Sequence, residues 1–186
     1  MKSSLSWGTQ TEKICRENPH IEFFMYHYIR DHDTHDNEVT RDLSVSPQLF
    51  DSHMWKIENL SKSGKITLMN WNDFIESIRT NCFTKSPVWI FTADDGWSDM
   101  HDMLVPIATK HRVPFFLGIT TEFVGKKWFI TLKDLKELSE NPLVSLASHS
   151  LDHKDNSKLS EVEEEKQVCD SKDWLEKETG KIVDTY

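Results

Sequence analysis

The chain has 186 residues, of which 37% are hydrophobic, and it contains 7 Trp and 10 Phe. This length and composition fit one folded domain, or one domain and a short addition, and they exclude a chain that is disordered throughout. The net charge of −9 at pH 7 argues against nucleic acid or anionic lipid as the main partner.

The chain begins with a polar stretch without pattern, and we expect residues 1–19 to form a loose N-terminal arm. This stretch has charges and no apolar run of signal-peptide length, and no later run is long enough for a membrane span. The three cysteines are far apart in sequence, which is typical of reduced thiols. We therefore expect a cytoplasmic protein, unless an export segment has been removed from this sequence.

Five short apolar runs predict buried strands, and they cover residues 21–29, 66–69, 88–91, 115–119 and 143–147. The runs are continuous rather than alternating, which suits parallel strands that are covered on both faces. Helical patterns lie between them, so the order of elements predicts an α/β domain with parallel strands. In such folds the functional site forms at the carboxyl ends of the strands.

Five helices are indicated by start signals. Their predicted N-caps all carry a side-chain oxygen, and they are Ser46, Asn70, Ser98, Thr131 and Ser160. We expect Pro106 to kink or shorten the third helix, and Gly180 to end the fifth, which starts with a capping box. The predicted buried face of the second helix comprises Trp71, Phe74, Ile75 and Ile78.

Two polar segments follow predicted strands. Asp94 and Asp95 come soon after the run at 88–91, and His149 and His153 come after the run at 143–147. Adjacent residues that leave a strand point in different directions, so one carboxylate can bind a metal ion while the other faces a substrate. Taken alone, the acidic pair is also typical of a turn, and the histidines of a surface role. Because both segments end strands of one domain, we predict a metal site with two imidazoles and a carboxylate.

Such a site favours hydrolysis. A metal ion lowers the pKa of water and polarises a carbonyl group, and the second carboxylate serves as the general base. The leaving group also needs a proton from an acid, and no residue near the two segments stands out for that role.

Several other residues invite a functional interpretation. His27 lies late in the first strand run and could approach the site, but a histidine of the core is the stronger interpretation. Trp97 and Trp128 either stack on a sugar ring or pack inside the protein. His32 and His35 lie among aspartates, a composition that favours a solvated loop over a metal site.

The segments at 92–96 (Thr-Ala-Asp-Asp-Gly) and 149–153 (His-Ser-x-x-His) give the chain a resemblance to the polysaccharide deacetylases, the family-four carbohydrate esterases. The family motifs are Thr-Phe-Asp-Asp-Gly and His-(Ser/Thr)-x-x-His, so the one departure is Ala93 in place of a bulky aromatic residue. The resemblance extends over residues 20–186. It implies a general base at Asp94 and metal ligands at Asp95, His149 and His153.

The resemblance also implies a fold, a distorted (β/α) barrel with fewer than eight strands, incomplete at its C-terminal side. The chain stops at Tyr186, where the family's next strand would begin. Later segments of the family supply an oxyanion site, a partner for the base and a histidine acid. We therefore expect the N-terminal portion of a longer protein or a shortened relative. A chain that folds alone would form a homo-oligomer, since a missing strand leaves an exposed edge.

The function predicted from these residues and this resemblance is metal-dependent hydrolysis of acetyl groups, most simply N-acetyl groups, on a saccharide or polysaccharide. This makes the protein a hydrolase of carbon–nitrogen bonds other than peptide bonds, with zinc as the first choice of metal. The alternative is a non-catalytic saccharide-binding or assembly protein that keeps the deacetylase scaffold. A third possibility is a metal-dependent amidase that acts on a small non-sugar amide.

Overall fold

A computed structural model of the chain describes residues 13–15, 19–31 and 38–186. The strands are β1 (Lys13–Cys15), β2 (Ile21–Tyr26), β3 (Tyr28–Ile29), β4 (Ser44–Val45), β5 (Thr67–Leu68), β6 (Cys82–Thr84), β7 (Val88–Ala93), β8 (Phe115–Ile119) and β9 (Val144–Ser148). The α-helices are α1 (Glu38–Asp42), α2 (Pro47–Lys62), α3 (Trp71–Thr80), α4 (Val105–Lys110), α5 (Leu132–Glu140) and α6 (Glu161–Thr179).

The main sheet has five parallel strands, as the continuous apolar runs predict. Its order is β2-β7-β8-β9, and the short strand β5 pairs with the first two residues of β7. Every residue of β8 is buried, because this strand lies between two others and under the helices. Ala93 pairs with Leu117, and Gly118 pairs with Ala147, so β7, β8 and β9 end side by side. The α/β class predicted from the sequence is confirmed.

Four of the five predicted N-caps are confirmed by side-chain hydrogen bonds to the first helical turn, and they are Ser46, Asn70, Thr131 and Ser160. Thr131 and Ser160 each form a complete capping box. Gly180 ends α6 with a φ of 69°, a left-handed conformation in which glycine has no steric penalty. These helix ends therefore follow from residues at or next to the ends themselves.

The third predicted helix differs in detail from the prediction. Ser98 is already helical and makes no N-cap bond, so the predicted cap is wrong. The chain then passes through a π-helical turn at Met100–Leu104 before α4 begins, and Pro106 lies in the first turn of α4. A π turn shifts the backbone pairing, which accommodates a proline that has no N–H group to donate.

The strand at β2 is shorter and more exposed than predicted. It ends at Tyr26, and two of its side chains, Phe23 and Met25, are 60% and 61% exposed. Among the described strands β2 pairs only with β7, so it is an edge strand, and the exposure of Phe23 and Met25 shows that one of its faces is not fully covered. On α3, Ile78 is 50% exposed and does not belong to the buried face that its spacing predicts. The predictions for β2 and Ile78 are wrong for one reason: an apolar side chain in the sequence does not show whether another element packs against it.

Part of the predicted N-terminal arm is ordered, because β1 pairs antiparallel with β6. The rest of that arm, except Pro19, lies outside the described residues, and so do His32 and His35. In the described part of the chain the main sheet remains open. One large apolar cluster fills the space between the sheet and the helices, with Phe50, Phe91 and Phe115 at its centre. Within the same part of the chain, no helix is long and apolar enough to cross a membrane.

Candidate metal centre

The loop after β7 turns sharply at its two carboxylates. Asp94 continues the sheet, since its backbone N–H donates to the carbonyl of Tyr26 in β2. Asp95 and Gly96 then adopt φ values of 81° and 87°. A left-handed conformation at a non-glycine residue costs free energy and persists only where the surroundings enforce it. Beyond this turn Oδ1 of Asp95 lies near His153, whereas Oδ1 of Asp94 lies next to Gly118 of β8.

The loop after β9 is equally constrained. Ser150 and His153 have φ values of 68° and 59°, and the hydroxyl of Ser150 accepts a hydrogen bond from the backbone N–H of His153 at 3.0 Å. The backbone N–H of His149 donates to the carbonyl of Ile119 at the end of β8. Backbone hydrogen bonds to β2 and β8 therefore hold the two loops at the carboxyl ends of the strands.

A buried glutamine in α6 holds the histidine loop from behind. Gln167 is 6% exposed, and its amide oxygen accepts from the backbone N–H of Leu151 at 2.9 Å and that of Asp152 at 3.4 Å. Its amide nitrogen donates to the carboxylate of Asp152 at 3.0 Å. Buried polar groups are costly unless paired, so these bonds specify the loop conformation. Sequence reasoning did not single out this residue, because a glutamine in an acidic helix carries no signal of its own.

Asp95, His149 and His153 converge, and each offers one ligand atom within 4.8 Å of the others. The Nε2 atoms of His153 and His149 lie 3.1 Å and 3.4 Å from Oδ1 of Asp95. That oxygen is buried, yet among the described residues no donor is aligned to hydrogen-bond to it. Around a tetrahedral zinc ion with bonds of about 2.0–2.2 Å, neighbouring ligand atoms lie roughly 3.3 Å apart. The three side chains therefore fit a metal ion, and two nitrogens with one oxygen suit zinc.

The second oxygen of Asp95 accepts a hydrogen bond from Nε1 of Trp97 at 2.9 Å. Trp97 stacks on Phe129, with 4.2 Å between the ring centres, and also contacts Tyr28. Trp97 thus orients a carboxylate from inside an aromatic cluster, whereas the sequence left open a role in sugar stacking. Trp128 is different, since its side chain is 64% exposed.

The pKa values of the two carboxyl groups are shifted in opposite directions. Burial would raise the pKa of Asp95, but contacts with His149 and Trp97 outweigh this and lower it. Burial dominates at Asp94 and raises the pKa of that carboxyl, although the charges of His149 and His27 oppose the change. The pKa of His149 is raised, chiefly by Asp95. One carboxylate is thus favoured as an anion, and the other is favoured as a proton acceptor.

His27 lies near enough to affect Asp94 electrostatically. It follows β2, and its side chain is neither fully buried nor fully exposed. The sequence favoured a core histidine, but this imidazole belongs to the surroundings of the site. Ala93, which precedes Asp94 at the end of β7, is completely buried within the main apolar cluster.

The comparisons with known proteins agree with this geometry. The sequence profile described as polysaccharide deacetylase matches residues 83–186, which is more than half of the chain. The chain belongs to the polysaccharide deacetylase family. The family predicted from the two motifs is confirmed, and the matched residues include all four predicted site residues.

Individual deacetylases resemble the chain over different lengths. It is 25% identical over 83 residues to YxkH of Bacillus subtilis, a polysaccharide deacetylase by its assigned name, covering 45% of this chain and 29% of YxkH. The deacetylase PplD of Streptococcus pyogenes, solved in complex with acetate, superposes with a TM-score of 0.75 and 24% identity, covering 93% of this chain and 72% of PplD. The polysaccharide deacetylase BC0361 of Bacillus cereus gives a TM-score of 0.71 and 24% identity, with 88% and 48% covered. The chain therefore spans less than a third of YxkH and about half of BC0361.

Proposed function

We propose that this deacetylase domain hydrolyses acetyl groups, and specifically N-acetyl groups, on a saccharide. The observation that carries the proposal is the convergence of Asp95, His149 and His153 on a buried oxygen without an aligned donor, next to a second carboxylate. Membership of the family supports acetyl groups of polysaccharides as the substrate class. PplD, which shares the fold, binds acetate, the product that any deacetylation releases.

In this proposal Asp95, His149 and His153 hold a divalent cation, with zinc favoured by two nitrogen ligands and one oxygen ligand. When bound, such an ion supplies a Lewis acid for the acetyl carbonyl group and lowers the pKa of a water molecule. Three protein ligands leave coordination positions open for both. The strained loops at Asp95 and His153 support the ligand set, because they fix it before any ion arrives.

Asp94 is proposed as the general base. Its raised pKa favours acceptance of a proton from the attacking water, and the neighbouring Asp95 remains an anion because its own pKa is lowered. Among the described residues, His27 is an imidazole outside the proposed ligand set whose charge lowers the pKa of Asp94.

The test is acetate release from N-acetylated chitin oligosaccharides. The chelator-stripped protein should regain activity with one equivalent of Zn²⁺, and Asp94→Asn should lose about a thousandfold or more in kcat while still taking up zinc. Asp170→Asn is the matched control, because Asp170 is an exposed carboxylate on α6. Zinc uptake without acetate release would favour the binding protein as the function, and absence of uptake would refute the metal site.

We also propose that the main sheet is part of a distorted (β/α) barrel. Among the described strands β2 and β9 each pair with one neighbour, so both edges are free for further strands. The Thr185 carbonyl accepts from the backbone N–H of Ser148 in β9 at 2.9 Å, which supports extension of the sheet at that edge. A crystal structure in which the sheet ends at β9 with a helix covering its edge would contradict the barrel.

A further inference from the structure

The strand between the two site loops lacks a side chain at the point where they meet. Gly118 is the fourth residue of β8, and β8 lies between β7, which leads to Asp94, and β9, which leads to His149. A Cβ atom added at Gly118 would lie 3.0 Å from Oδ1 of Asp94. It would also lie 3.3 Å and 3.4 Å from Cβ and Cγ of His149. The two side chains thus occupy the space that any other residue here would need.

We infer that Gly118 is a positioning residue of this site, because its missing side chain lets Asp94 and His149 meet above β8. The inference rests on the proposed function, in which these side chains are the base and a metal ligand. It extends that function to a residue that touches neither substrate nor metal. The sequence offers a signal for it, since a glycine inside a buried strand often marks a close approach.

The reason for glycine at this position is steric and not conformational. Gly118 is absent from the residues with positive φ, so an alanine could adopt the same backbone without strain. The neighbours in question are the base of an imidazole ring and a carboxylate oxygen, and both loops are constrained by left-handed residues. Asp94 and His149 must therefore yield by a few tenths of an ångström when a methyl group is added. Functional groups must be held within about 0.5 Å of their productive geometry, so a shift of this size at both side chains impairs the site.

The first measurement is the crystal structure of metal-free Gly118→Ala. We expect an intact sheet in which Oδ1 of Asp94 and the ring of His149 have both moved relative to the wild type. Because no metal is involved, this result decides the inference even if the wild-type protein takes up no zinc, an outcome that would refute only the proposed function. A variant structure with both side chains in their wild-type positions would overturn the inference.

The second measurement is zinc affinity by titration calorimetry, followed by the kinetics of acetate release. We expect Gly118→Ala to raise the Kd for zinc about tenfold and to lower kcat about 10- to 100-fold with a smaller change in KM. Gly118→Val should be worse in both. Gly64→Ala is a control for a strained glycine replacement away from the site: its φ of 72° disfavours alanine, but a Cβ there meets open space in the loop between α2 and β5, so zinc affinity and kcat should keep their wild-type values. Wild-type affinity and kcat in Gly118→Ala would also overturn the inference.

The contributions of Asp94 and His149 to the effect of Gly118→Ala can be distinguished with Asp94→Ala. This change removes the closest contact of the added methyl group and leaves the contacts with His149. In that background Gly118→Ala should still weaken zinc binding about tenfold, because the displaced ligand is unchanged. An effect on zinc that disappears with Asp94 would contradict the role assigned to the contact with His149.

Discussion

The hydrogen bond from Trp97 to Asp95 allows the ligand set to be tested at one atom. Replacing Trp97 by Phe removes the Nε1–H donor that lies 2.9 Å from Oδ2 of Asp95. The phenyl ring can still stack on Phe129, whose centre lies 4.2 Å from that of the indole. The substitution therefore removes the donor and keeps most of the aromatic contact.

The expected magnitude follows from the charge of the acceptor. A hydrogen bond to a charged group contributes about 1.5–3 kcal/mol, and 1.4 kcal/mol corresponds to a tenfold change in an equilibrium constant. Loss of a partner that orients a metal ligand typically costs 10- to 100-fold in metal affinity, which is the same range. The donor also lowers the pKa of Asp95, so its loss raises that pKa and lets protons compete with the metal at higher pH.

Zinc titration calorimetry of chelator-stripped protein at two pH values measures both effects. We expect the Kd of Trp97→Phe to rise about 10- to 100-fold near pH 7, and further near pH 5. Trp128→Phe is the control, since this indole is 64% exposed and its ring lies under Lys127. Equal zinc affinity in wild type and Trp97→Phe, with both proteins folded by circular dichroism, would refute the role of this bond.

Three further variants test other parts of the molecule. Gln167→Met leaves the partly buried backbone N–H of Leu151 without its partner, so we expect the free energy of unfolding in urea to fall by about 1–3 kcal/mol and zinc binding to weaken. An unchanged free energy of unfolding would contradict the role of Gln167 in holding the histidine loop. His27→Gln removes a charge that lowers the pKa of Asp94, so the acidic limb of the pH profile of kcat/KM should move to higher pH. An unmoved limb would show that His27 does not act on Asp94. Asp51 has a lowered pKa, first because of Lys110, so it stabilises the fold above its unfolded pKa and loses this contribution as the pH falls. Asp51→Asn should therefore lower the urea midpoint more near pH 7 than near pH 3, and equal losses at both pH values would exclude the ion pair as the cause.

Local rules in the sequence predicted much of the fold. Four N-caps follow from single side chains that bond to the first helical turn, and the end of α6 follows from a glycine that adopts a left-handed conformation without penalty. The errors arose where the outcome depends on distant neighbours. Phe23 and Met25 are apolar in sequence but largely exposed in the structure, although Phe23 makes an edge contact with Phe74 of α3. Trp97 could not be assigned to Asp95 until the loop was seen to turn back on the sheet.

The sequence by itself determined the alternation of strands and helices, the family, and the four residues in which the chemistry was sought. These properties depend on residue type and spacing along the chain, which can be read without coordinates. Only the tertiary structure decided that the side chains of Asp95, His149 and His153 converge, that Gln167 holds one loop, and that Gly118 leaves room between Asp94 and His149. Those facts depend on the register between strands that are far apart in sequence, and the register is set by packing of the whole sheet.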